Sequence, residues 1–176
     1  IPVGLLCVLF AFLYTAGPYP LAYHGWGDVL VIVFFGFVPV GCTYYTMAHD
    51  WTWNVTIGCA ACGLVSDLLL MLNNYRDREQ DKISGKRTLI VRFGEKAGRY
   101  AYLWLGIIAV GICSYYAFKG YLLAALLPLL FLIPHITTWR EMVRIFKGKE
   151  LNIVLGKTAR NIVLFGLLLS LGLILS

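Results

Sequence analysis

The sequence predicts an all-α integral membrane protein, a bundle of transmembrane helices. Three observations carry this. Of 176 residues 60% are apolar and only 14% are charged, against about 45–50% and 25% in soluble domains, and the mean hydropathy is +0.76. Several apolar runs approach or exceed the roughly 20 residues that a helix needs to cross a bilayer. The charged residues are not dispersed; they collect in two of the connections between these runs. Together these features exclude a soluble enzyme, a disordered chain, a disulfide scaffold and a coiled coil.

The elements follow in order. Val3 to Tyr14 is apolar but short, a partial span. The sequence opens on Ile1-Pro2 with no basic segment before the apolar run, so it does not read as a signal peptide, and the expectation is a piece of a longer protein whose N-terminal part precedes it. Thr15 to Gly27 is a connection rich in Gly, Pro and Tyr. Asp28 to Met47 and Trp53 to Leu72 are full spans, joined by a short link at His49 to Thr52. Asn73 to Arg99 is a long charged connection. Tyr100 to Phe118 and Leu122 to Trp139 are spans joined by a minimal turn at Lys119-Gly120. Arg140 to Asn161 is charged again, and Ile162 to Ser176 is the last span. The whole reads as one transmembrane domain over residues 1–176.

Fourteen of the fifteen Lys and Arg fall in Asn73–Arg99 and Arg140–Asn161, and the other, Lys119, lies in a turn on the opposite side. The first, third and fifth connections of an alternating topology share a side, so the bias is coherent. The positive-inside rule places that side in the cytoplasm. The net charge of +6 is therefore a topology signal. A nucleic-acid partner would need a basic soluble face, and none is present.

The five cysteines all lie in apolar runs, where they act as small hydrophobes. Cys59-Ala-Ala-Cys62 has the spacing of a zinc or redox pair but lacks a second pair of ligands nearby. Ser84-Gly85-Lys86-Arg87-Thr88 lacks the distal Gly and the adjacent Ser or Thr of a phosphate-binding P-loop. Gly85 reads instead as a left-handed helix stop.

Chemistry is concentrated between Asn73 and Leu89, where the span begun at Trp53 reaches the basic side. If the helix continues, Asp77 and Asp81 lie at i and i+4, one above the other. Like charges there cost a bare helix about 0.2–0.5 kcal/mol, and a divalent cation reverses the penalty. Magnesium is commonly held by one or two carboxylates plus substrate phosphates, and the flanking Arg and Lys suit phosphate oxygens. Solvated acids paired with neighbouring bases would also explain the pattern. Asp67 is embedded in the apolar run, an unusual place for a carboxylate. Asp67, Asn74 and Asp81, seven residues apart, form one stripe running toward the basic mouth.

The pattern Asn73-Asn74-x-Arg76-Asp77-x-x-x-Asp81-x-x-x-Gly85-Lys86-x-Thr88-Leu89-x-x-Arg92-x-Gly94 resembles the second aspartate-rich motif of the UbiA-type intramembrane prenyltransferases. Its Asn-Asn-x-Arg-Asp form is most similar to the subfamily that prenylates 1,4-dihydroxy-2-naphthoate in menaquinone biosynthesis. Tyr14–Pro18, Leu151-Asn152, Thr158–Arg160 and Leu164–Leu168 support the same resemblance. It implies a nine-helix bundle around a central cavity, of which this sequence would supply the last five helices and part of the fourth. The family's first aspartate-rich motif has no counterpart here, so the resemblance implies that this piece alone is inactive. Asp67 is not a motif position.

The resemblance implies Mg2+ as cofactor, with Asp77 and Asp81 as its ligands and as the catalytic carboxylates. The substrates implied are a polyprenyl diphosphate and 1,4-dihydroxy-2-naphthoate. Asn73, Asn74, Arg76, Arg78, Lys82, Lys86, Arg87 and Arg92 are the candidates for substrate binding, and Tyr14 is a candidate for orienting the acceptor. The products would be demethylmenaquinone, pyrophosphate and carbon dioxide. The place implied is the cell inner membrane, with lipid around the bundle and the site facing the cytoplasm. Other aromatic acceptors (4-hydroxybenzoate, homogentisate, a haem or chlorophyll precursor) remain open, as does a transporter with Asp67 on its pathway.

Overall fold

A computed structural model describes residues 2–176 and is helical throughout its ordered elements. Helix α1 is Pro2–Thr15. A short 3₁₀ turn at Leu21–Tyr23 leads into α2, Gly27–Ala48. Then come α3, Trp53–Ile83; α4, Leu89–Phe118; α5, Leu122–Ile145; and α6, Leu151–Leu175. Helices α2 to α6 are each long and apolar enough to cross a membrane.

Helix α3 is the axis of the bundle and packs against α2, α4 and α6. Its start is set by Thr52, whose Oγ1 accepts a hydrogen bond from the Val55 amide, satisfying one orphan donor of the first turn. Val65, Leu68, Leu72 and Tyr75 are fully buried along it, with Tyr102 of α4, Phe131 of α5 and Phe165 of α6 closing the core. Large apolar side chains cover the outer surface of every helix, the inverse of a soluble protein and the arrangement that a lipid solvent favours. No residue of α1 is buried.

Helix α2 approaches α3 closely because both contribute glycine. A Cβ at Gly63 would lie 2.7 Å from the Ile32 carbonyl oxygen, and one at Gly36 would lie 2.7 Å from the Gly63 Cα. Small residues allow this backbone contact between membrane helices. The middle of α2, Val33–Gly41, widens into π-type turns around Pro39, which has no amide hydrogen to give.

Two boundaries differ from the sequence reading. The helix begun at Trp53 continues to Ile83 and the next starts at Leu89, so the connection expected over Asn73–Arg99 narrows to residues 84–88. Likewise Arg140–Asn161 is helical except for residues 146–150. Arg, Lys, Gln and Glu are good helix formers, so a helix runs on past the apolar stretch that hydropathy detects. Gly94, at φ +86°, kinks α4 just after its first turn, and Gly85, at φ +78°, turns the chain after α3 as the sequence predicts.

Candidate active site

The three charged or polar connections meet at one end of the bundle. The Arg87 amide donates to the Tyr23 carbonyl at 2.9 Å, and Arg92 Nη2 donates to the His24 carbonyl at 3.0 Å. These bonds tie the α3–α4 turn to the α1–α2 connection. Arg76 Nη1 reaches Asn152 Oδ1 at 2.8 Å, and Arg78 Nη2 reaches the Phe146 carbonyl at 3.1 Å. These tie α3 to the first turn of α6 and to the α5–α6 connection.

On the last two turns of α3 the acids and bases are paired. Arg76 grips Asp77 with two bonds, Nε to Oδ1 at 2.7 Å and Nη2 to Oδ2 at 2.6 Å, and Nη2 also donates to Asn73 Oδ1 at 2.6 Å. This bidentate pairing is the strong form of the contact. Asp81 is buried at 3% exposure, and Lys86 Nζ donates to its Oδ1 at 2.8 Å. That bond holds the Lys86 ammonium above the usual lysine pKa. One turn apart on the same helix, the two carboxylates are each neutralised by a separate base, Asp77 on the α6 side and Asp81 against the α3–α4 turn.

The other candidates divide. Asn73 lines an apolar groove of about 660 Å³ with Val31, Phe35, Leu70, Leu155 and Ile162. Asn74, Lys86, Tyr14, Asp28 and Thr88 enclose a small polar chamber of about 30 Å³. Arg87 and Arg92 are exposed beside it, and Lys82 is exposed on the outer face of α3. Arg78 is set apart from them. It is buried between the Tyr75 ring, 4.5 Å from its guanidinium carbon, and the Phe146 ring at 5.0 Å, and it donates to the Tyr75 carbonyl at 2.6 Å. In that place it clamps α3 to the α5–α6 connection.

The model of the UbiA prenyltransferase family matches residues 1–152. The chain belongs to this family. It is 32% identical to a 1,4-dihydroxy-2-naphthoate octaprenyltransferase of Haemophilus influenzae over 98% of this chain and 56% of that protein. It is 34% identical to the protein of the same name in Escherichia coli, over 99% of this chain and 57% of that one. With one from Mycobacterium leprae the identity is 40% over 65% of this chain and 38% of that protein. The chain thus spans about half the length of the curated relatives it matches. No solved structure matches it. Family membership and five long apolar helices make this an integral, multi-pass membrane protein.

Sequence reasoning placed Asp28 only as the first residue of a span. Its signal was available: a carboxylate directly after Gly27, where an apolar run begins. Thr88 likewise borders the chamber while its Oγ1 caps α4 at Val91.

Proposed function

We propose that the protein to which this chain belongs transfers a polyprenyl group from polyprenyl diphosphate to 1,4-dihydroxy-2-naphthoate, releasing pyrophosphate and carbon dioxide and giving the quinol form of demethylmenaquinone. The observation that carries this is the junction at Asn73. There the acid- and base-rich end of α3 opens directly on a 660 Å³ apolar groove. A substrate with a diphosphate head and a polyprenyl tail matches that pairing, and the names of the relatives point the same way.

Mg2+ fits the donor set. Asp77 and Asp81 stand at i and i+4 on one helix, and among the described residues no cluster of three or more His, Cys, Asp or Glu forms a complete cage. An ion held partly by substrate phosphates needs only one or two carboxylates. When bound, it supplies Lewis-acid stabilisation of the departing diphosphate. Lys86, Arg87 and Arg92 gather at the mouth and neutralise phosphate charge, with Lys82 on its rim. Arg76 fixes Asp77 and Asn73 in one plane of contacts. The groove holds the tail and excludes water, which would capture an allylic cation. Asn74 and Tyr14 orient the acceptor at the chamber. The basic end faces the cytoplasm, and in a bacterium the membrane is the inner one.

The test uses the full-length protein in membranes with magnesium, polyprenyl diphosphate and dihydroxynaphthoate. Wild type is expected to form the prenylated product, and Asp77→Ala and Asp81→Ala are expected to lose it while still inserting. Transfer to a different aromatic acid would change the acceptor and keep the site. Full activity in both variants would overturn the assignment of the carboxylates.

A further inference from the structure

A second acidic pair lies outside the motif, in the seam between α2 and α3. The seam is antiparallel, and its register is visible in the glycines. A Cβ at Gly36 would meet Cys59, one at Gly63 would meet Ile32, and one at Gly27 would meet Leu70 and, at 3.4 Å, the Tyr14 hydroxyl. Gly36 with Cys59 and Ile32 with Gly63 are successive turns. The next turn in that register places Asp28 opposite Asp67.

Asp67 is 1% exposed. Its Oδ1 and that of Asp28 are both buried without a hydrogen-bond partner. Buried acceptors are rarely left so. Two ionised carboxylates facing each other away from water are strongly disfavoured. One proton between them satisfies both orphan oxygens. Asp67 is the more deeply enclosed. Asp28 sits in the first turn of α2, where the helix dipole favours negative charge, and borders the chamber shared with Tyr14, Asn74, Lys86 and Thr88. The chamber, at about 30 Å³, has room for a water, which needs roughly 10–15 Å³. Two other titratable groups border the chamber: Lys86, which donates to Asp81 in this structure, and Tyr14.

We propose that Asp28 is the proton acceptor for the ring hydroxyl of the aromatic acceptor, reached through one water in this chamber, and that Asp67 is a positioning residue that keeps its own carboxyl proton and hydrogen-bonds through it to Asp28. The inference rests on the prenyl transfer proposed above. The hydroxyl proton passes to Asp28 as the ring carbon's electron pair forms the new C–C bond to the allylic carbon. The allylic C–O bond breaks, and its electrons leave with the diphosphate. Loss of the ring carboxylate as carbon dioxide returns an electron pair to the ring, and Asp28 gives the proton back to the ring oxygen.

The test compares full-length wild type, Asp28→Asn, Asp67→Asn and Asp67→Leu on a series of hydroxynaphthoates of increasing hydroxyl acidity. Magnesium-dependent binding of the polyprenyl diphosphate serves as the check on folding. Asparagine keeps the hydrogen-bond donor of a protonated carboxyl, so Asp67→Asn is expected to retain more activity than Asp67→Leu, which removes it and is expected to lower kcat with polyprenyl diphosphate binding kept. Asp28→Asn is expected to lower kcat by about a hundredfold or more, with donor binding kept. That loss shrinks as the acceptor hydroxyl becomes more acidic and needs the base less. A loss equal across the series, or equal losses in the two Asn variants, would make the pair structural and overturn the inference. Loss of donor binding in Asp28→Asn, with Asp67→Asn also impaired, would assign the pair to folding. A wild type that prenylates no aromatic acid would overturn the proposed function itself, a result separate from wild-type transfer undisturbed by Asp28→Asn.

Discussion

Asp81 and Lys86 carry the sharpest residue-scale consequence of the structure. Asp81 is almost fully enclosed, and its visible neutralising partner is the Lys86 ammonium at 2.8 Å. Lys86→Met therefore leaves a buried carboxylate unpaired, which costs roughly 1–3 kcal/mol. A divalent ion replaces the lost charge. Thermal unfolding in detergent is expected to fall for Lys86→Met without magnesium and to recover on adding it by more than wild type gains. Equal magnesium gains would separate Asp81 from any cation site. The pH dependence has a definite sign. Asp81 raises the Lys86 pKa above the ordinary 10.5, so the pair's contribution is fully present below 10.5 and is lost only as pH climbs through the raised value. A titration of wild-type stability from pH 7 to 10 is expected to show no transition assignable to this pair.

At the scale of elements, the sequence states where membrane is crossed more clearly than where helices end. Hydropathy sees the bilayer, so five spans were legible from apolar runs alone. It is blind to a helix that continues into water, and so it misplaced the ends of α3 and α5 and the starts of α4 and α6. The continuation matters for the site, because only an unbroken α3 to Ile83 sets Asp77 and Asp81 one turn apart. The residues proposed for the diphosphate site could be named from the sequence because the pattern is local: acids and bases at fixed offsets on one helix. Asp28 escaped because the role proposed for it depends on α2 lying against α3, a tertiary fact with no marker in spacing. Arg78 was grouped with the other bases for the same reason; which face of α3 meets Phe146 is decided by packing. That packing makes its own prediction. A Cβ at Gly63 falls 2.7 Å from the Ile32 carbonyl, so Gly63→Leu must push α2 away from α3. Overpacking of this kind costs about 1–3 kcal/mol. It is expected to lower thermal stability and to reduce prenyl transfer together, since both the chamber and the groove have a wall from α2. A variant with unchanged melting and unchanged activity would show that the seam is looser than described.

Across the whole molecule, the distribution of charge and the arrangement of helices make one statement. Arg87 and Arg92 tie the α3–α4 turn and the start of α4 to the α1–α2 connection, and Arg76 and Arg78 tie the end of α3 to the start of α6 and the α5–α6 connection, while Lys119 lies in the α4–α5 turn at the far end. Basic side chains near helix ends are favoured on the cytoplasmic side of a membrane, so the proposed diphosphate site and the proposed orientation draw on the same charged surface. The two functions can be separated by labelling. Ser84, Lys147 and Lys119 are all exposed and accept single cysteines in a background freed of the native five. In sealed vesicles with the native outer face outward, an impermeant maleimide is expected to modify Lys119→Cys. Ser84→Cys and Lys147→Cys should react only after the vesicles are opened. The sorting of two against one tests the topology whichever way the protein lies, because an even number of crossings separates residues 84 and 147 and an odd number separates either from 119. Which group reacts first tests the orientation. Ser84→Cys and Lys147→Cys reacting from opposite sides would break the shared basic mouth, and with it the common surface on which the proposed diphosphate site is built.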